Sequence, residues 1–335
     1  MTFLTRSIVS LPVTRYLALY LITGLLVSCD ADKGKEIKSW LHEDTGSYGA
    51  AISDDGKLLL TGSISGFGRV WDVDAGDVLY SVQHQDDNDG GIIAADFSSD
   101  NRFLVTIEQQ SIARWSMADG RLLGYWLWPD LRDVAISANG RFALIGMKKN
   151  QAIYFDMQAG KMVYVFPHHE KITSVALSKD GRFALTGSDD WHASLWSLTD
   201  GKHIWAQNME YKISRVELSD DGRLAMANAY DGQTKVFSTH KPAEVISMLD
   251  TKSGGMTVVS ADFSDDGSIL ATGRAARGID IWDVDTGKSI KNWNPGTKEW
   301  VQPDSATILD LNISADKSTL LSESSAGIGQ LWSLN

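Results

Sequence analysis

With 335 residues, 43% of them hydrophobic and 22% charged, the chain has the composition of a globular protein long enough to bury a sizeable core. A formal net charge of −12 argues against nucleic acid as a partner and against adhesion to anionic lipid. The single cysteine, Cys29, excludes an internal disulfide.

In chain order, residues 1–28 contain Arg6 and Arg15, no acidic residue, and an apolar run from Tyr16 to Val27 that is short for a membrane span. This pattern predicts a secretory signal. Its end, Leu26-Val27-Ser28-Cys29, resembles the lipobox of bacterial lipoproteins. The resemblance implies cleavage after residue 28, a diacylglycerol on the Cys29 thiol and a membrane anchor through it. Residues 29–33 become a short tether, and loss of the two arginines makes the mature chain more acidic still. A lipid-anchored protein of the cell envelope, facing the periplasm, is expected. Asp30 resembles the signal that holds enteric lipoproteins at the inner membrane.

From residue 34 onward one pattern recurs with a period near 40 residues, the spacing of propeller blades or solenoid units. Ser-x-Asp-Gly or a close variant stands at 53–56, 98–101, 137–140, 178–181, 219–222, 264–267 and 314–317. An aromatic follows each serine by 18 residues, or 17 in the second copy: Trp71, Trp115, Phe155, Trp196, Phe237, Trp282 and Trp332. Segments before each motif alternate apolar and small or polar residues, as in ITSVALS, and those after it read KLLLTGS or RFALTGS. Period two marks strands. Short polar side chains and glycine suit the hairpin between them, because they accept backbone N–H groups and tolerate positive φ. Four strands per period, seven times, predict an all-β, seven-bladed propeller over residues 34–335.

The chain stops after a third strand, while residues 34–40 (GKEIKSW) match the fourth strand at 287–293 (GKSIKNW). The first strand is therefore expected to complete the last blade. Cys29 would then lie about five residues from the ring.

These motifs, with the aromatic followed by Asp or Ser, resemble the WD-repeat family. The fourth copy carries the fullest match: His168, Thr186, Asp190 and Trp196 fall at the positions of that family's structural tetrad. The resemblance implies a monomeric protein-binding scaffold without cofactor. Its docking rim maps onto Trp128, His169, Tyr211 and Trp300 in loops between blades, and onto Lys148, Lys149, Trp191, Tyr230, Arg274 and Arg277 in second-to-third-strand turns. Aromatic and arginine side chains are the usual anchors of protein interfaces. Two longer loops, 84–91 and 294–305, add to this picture.

The fourth strands also resemble the repeats of quinoprotein-type propellers, which usually have eight blades. One of these is the lipoprotein subunit of the outer-membrane-protein assembly machine, so a role in that assembly is the second expectation. A propeller hydrolase or lyase is the third. The seven histidines show no HxH or HExxH spacing, and P-loop, dinucleotide-binding and nucleophile-elbow motifs are lacking in the sequence. No catalytic or metal site is expected from them.

Overall fold

A computed structural model describes residues 34–42, 46–63, 67–84, 91–241, 244–249, 257–296 and 306–335. Cys29, Trp300, the tether and most of the two longer loops lie outside the described residues. The described strands form seven antiparallel four-stranded sheets.

The first strand is β1 (Lys35–Leu41). Blade one is β2 (Ser47–Ile52), β3 (Leu58–Ser63), β4 (Phe67–Asp72) and β5 (Asp77–Gln83). Blade two is β6 (Ala94–Phe97), β7 (Phe103–Ile107), β8 (Ser111–Ser116) and β9 (Leu122–Leu127). Blade three is β10 (Leu131–Ile136), β11 (Phe142–Met147), β12 (Gln151–Asp156) and β13 (Lys161–Pro167). Blade four is β14 (Ile172–Leu177), β15 (Phe183–Ser188), β16 (His192–Ser197) and β17 (His203–Asn208). Blade five is β18 (Ile213–Leu218), β19 (Leu224–Ala229), β20 (Thr234–Ser238) and β21 (Val245–Met248). Blade six is β22 (Val258–Phe263), β23 (Ile269–Arg274), β24 (Gly278–Asp283) and β25 (Ser289–Trp293). Blade seven is β26 (Ile308–Ile313), β27 (Thr319–Ser324), β28 (Ile328–Ser333) and, from the other end of the chain, β1.

The predicted seven-bladed propeller and its closure are what the chain forms. It has seven blades, not the eight that the quinoprotein-type resemblance implies. β1 pairs with β28 from Lys35↔Ser333 to Leu41↔Ile328. Side chains lock the seal: His42 Nδ1 lies 2.9 Å from Glu323 Oε2, and Ser47 Oγ donates to Glu323 Oε1 at 3.1 Å.

Each Ser-x-Asp-Gly turn performs the same local work. In blade four Ser178 Oγ donates to Asp180 Oδ1 at 2.7 Å, and that carboxylate accepts the Arg182 amide at 2.9 Å. The serine oxygen in turn accepts the Phe183 amide at 3.0 Å. Gly181 sits at φ +73°, a conformation that costs a side chain strain.

Packing is distributed around the ring rather than gathered in one centre. Val105, Ile107 and Ile112 of blade two meet Ile145, Ile153 and Phe155 of blade three, and comparable clusters fill other junctions. Each such side chain contributes about 1.5–3 kcal/mol by leaving water. Inner strands are also latched blade to blade by side chains that accept backbone N–H groups. Asp96 takes Ile136 N at 2.8 Å, Asp133 takes Val175 N at 2.9 Å, Asp262 takes Ile313 N at 2.7 Å, and Asp310 takes Ile52 N at 2.7 Å. Between blades one and two backbone approach is direct, for a Cβ on Gly49 would stand 2.6 Å from the Ile92 carbonyl oxygen.

The ring has two faces. The turn face carries the Ser-x-Asp-Gly turns and the third-to-fourth-strand turns. The rim face carries the second-to-third-strand turns and the loops that join successive blades.

Candidate functional site

Inside blade four the four predicted tetrad residues meet. Trp196 Nε1 donates to Thr186 Oγ1 at 2.9 Å, Thr186 Oγ1 lies 2.7 Å from His168 Nε2, and His168 Nδ1 lies 2.9 Å from Asp190 Oδ2. With the indole donating to Oγ1, the hydroxyl can donate to Nε2 and the ring to the carboxylate, so every polar group is satisfied. Burial opposes ionisation of Asp190, but hydrogen bonds from the His168 ring and the His169 and His192 amides outweigh it and hold its pKa well below the usual carboxylate range. Both nitrogens of His168 are occupied by partners within blade four.

Part of this arrangement recurs beyond the fourth copy. Trp71–Thr61, Trp115–Thr106, Trp282–Thr272 and Trp332–Ser322 repeat the indole-to-hydroxyl bond at 2.9–3.0 Å. Blades three and five have Phe155 and Phe237 instead of tryptophan, and there Ile145 and Ala227 replace the hydroxyl. Donor and acceptor are present together or absent together. Blade two also has a ring in place, with His84 bonded to Thr106 at 2.8 Å and to Ser111 at 2.6 Å. Burial pushes the His84 pKa down to about 4, which keeps the ring neutral.

The central channel is a cavity of about 380 Å³. Its wall carries residues that the sequence motifs did not single out. Lys179 of blade four reaches Asp54 of blade one at 3.0 Å and Asp220 of blade five at 2.6 Å, bridging the channel at the turn face. Burial disfavours the Lys179 ammonium, but the two carboxylates more than compensate and raise its pKa. Higher in the channel Arg215 pairs with Glu217 at 2.9 Å. Burial pushes Asp310 up to about 7 and raises Asp96 and Asp262 well above the ordinary range.

The predicted rim residues within the described chain fall on one face, since each lies at the end of a second or fourth strand or at the start of the next. Their environments differ. Trp191, Tyr211 and Tyr230 are exposed, at 47%, 47% and 39%, and Tyr48, on which no sequence motif falls, is 49% exposed and lines the central channel, as Tyr230 does from another blade. Lys148, Lys149 and His169 are also exposed, with Lys149 paired to Asp130 at 3.1 Å. By contrast Trp128 turns inward and packs edge-on against Phe155, ring centres 5.4 Å apart. Arg274 folds back to Asp280 at 2.9 Å, a pair that is mostly buried, and Arg277 is half-buried.

Backbone conformation separates these turns further. Gly232 of blade five and Gly327 of blade seven occupy the left-handed position of their rim turns, at φ +92° and +73°. At the same place blade four has Trp191 at φ +75° and blade six has Arg277 at φ +47°. A bulky residue in that conformation costs on the order of 1–2 kcal/mol relative to glycine. Main-chain bonds hold the Trp191 turn in place, with the Trp191 amide donating to Ser188 O at 3.3 Å and the Met209 amide to Trp191 O at 2.9 Å.

Folding also gathers His168, His169, His192 and His203 with Asp190 around a half-open cavity beside Trp196, although only the first two are neighbours in sequence. Among the described residues no group of three or more His, Cys, Asp or Glu side chains is arranged to hold a metal ion.

The family model described as WD domain, G-beta repeat matches residues 34–72 and 160–197. Each matched segment begins at an outer strand, β1 or β13, and runs through three inner strands of the following blade. No curated protein matches the chain. Two matched repeats in a ring of seven four-stranded blades support a WD-repeat propeller, the kind of protein that generally serves as a platform for protein partners.

Proposed function

We propose that this protein is a lipid-anchored scaffold of the bacterial cell envelope, held at the membrane through Cys29, that docks a protein partner on the rim of blades four and five. The anchor reading is supported by the signal-like residues 1–28 and by Leu26-Val27-Ser28-Cys29. The docking reading is carried by Trp191, half exposed in a backbone conformation where blades five and seven use glycine. Strain without a folding benefit is a signature of a position selected for contact. Tyr211 and Tyr230 flank it in the next loop and the next blade, giving three large amphipathic side chains on rigid turns.

The test is a pull-down from detergent-solubilised membranes with the tagged protein beside a Trp191→Ala, Tyr211→Ala, Tyr230→Ala variant whose melting curve shows it folded. A partner captured by the native rim and lost from the variant supports the proposal. Equal capture by both overturns the rim assignment, and absence of any specific partner turns attention to a small ligand or a hydrolase activity.

A further inference from the structure

We infer that the turn face is the membrane-proximal face of the propeller and that the rim of blades four and five is held away from the bilayer, open to a soluble partner. This rests on the reading of Cys29 as the lipidated residue. The polarity of β1 carries it. As the fourth strand of blade seven, β1 starts beside Ser333, at the end of the blade that holds the Ser314–Lys317 turn, and finishes beside Ile328 next to the rim turn at Gly327. The chain therefore enters the ring at the turn face.

From Cys29 to Lys35 the backbone can span at most about 20 Å, at ~3.5 Å per residue. Six residues of strand rise about 20 Å, at ~3.3 Å each. Bringing the rim face to the lipid would use the whole tether merely to climb the outside of blade seven. Trp191 is further removed, because blade four lies across the channel from blade seven, and Tyr230 stands two blades away from it. The turn face also displays Asp265, Asp285 and Asp316, all exposed, whose charge opposes close adhesion to anionic headgroups within a Debye length of about 8 Å. The ring stands off from the bilayer with its turn face inward.

The experiment uses the full lipidated chain in vesicles of phosphatidylethanolamine and phosphatidylglycerol containing an acceptor-labelled lipid headgroup. A donor dye is attached at Asp285→Cys on the turn face or at Glu170→Cys on the rim, both exposed positions. The lipidated thiol of Cys29 does not react with the dye. Energy transfer several-fold stronger from position 285 than from position 170 is expected. Equal or stronger transfer from position 170, in protein whose intact mass includes the lipid, overturns the orientation and leaves the anchor standing. An intact mass without lipid overturns the anchor reading and the orientation with it.

Discussion

Lys179 and Asp54 belong to blades on opposite sides of the channel, yet their charged atoms stand 3.0 Å apart. With Asp220 at 2.6 Å on its other side, the ammonium joins three blades that share no strand pairing. About a third of each of these side chains remains exposed, which moderates the energy of the pair.

Replacing Lys179 with methionine is therefore expected to destabilise the ring by about 1–2 kcal/mol, less than the full cost of breaking a wholly buried pair. The denaturation midpoint measures this. The loss should shrink as the pH is lowered, because burial raises Asp220 and favours its taking up a proton once its partner is gone.

Coupling between indole and hydroxyl yields a second prediction. Thr272→Ile leaves the buried Trp282 N–H without its acceptor and should cost about 1–3 kcal/mol. Adding Trp282→Phe reproduces the Ile145 and Phe155 pair of blade three and should recover part of that loss. A double-mutant cycle read by chemical denaturation gives the interaction energy directly.

At Trp191 the two smaller replacements should differ. Trp191→Gly relieves the left-handed strain, about 1–2 kcal/mol, against roughly 0.5–1 kcal/mol for the freedom glycine gains in the unfolded chain. Trp191→Ala keeps the strain. The glycine variant should be the more stable of the two by up to about 1 kcal/mol in thermal or denaturant melts, while both lose partner capture. A glycine variant less stable than the alanine variant would show that the turn is not strained.

Asp310 sets a pH dependence of definite sign. Its carboxyl holds a proton up to about pH 7 in the folded state, against an ordinary value of 3.8. Between those limits the folded chain binds more protons than the unfolded one, so this group lowers stability as pH rises from about 4 to 7. His84 acts oppositely: it is neutral when folded down to about pH 4, and its contribution grows as pH rises from 4 to 6.5. Asp310→Asn can still accept the Ile52 amide and removes the first effect alone. Its melting temperature relative to the unsubstituted protein should rise between pH 4 and pH 7 and level off above.

Much of the fold could be read from residue order because each blade repeats the same local chemistry. Ser-x-Asp-Gly specifies a turn by short-range hydrogen bonds, alternation specifies strands, and the likeness of residues 34–40 to 287–293 specifies closure. The tetrad of blade four was legible for the same reason. The ring in blade two was not, because Gln110 stands at the place Asp190 holds in blade four and His84 bonds instead to Ser111, Nδ1 to Oγ at 2.6 Å. Channel chemistry was hidden more deeply. Lys179 is merely the variable second residue of a turn, and its pairing with Asp54 depends on ring closure over more than a hundred residues of chain. On the rim, topology puts the positions that lie within the described residues on one face. Local packing then decided which side chains reach solvent, drawing Trp128 to Phe155 and Arg274 to Asp280 while leaving Tyr48 outward.

Blade seven, built from both ends of the chain, has a consequence for the order of folding. β1 is made first among the described strands, and the strand it pairs with, β28, is made last. Throughout synthesis its backbone edge waits for a partner at the far end of the chain, and the pairing that finishes the ring has the largest loop-closure cost to meet. Such an edge invites pairing with other chains. A factor that shields the first strand until the last arrives would raise the yield of closed rings without touching any residue of the finished protein's core.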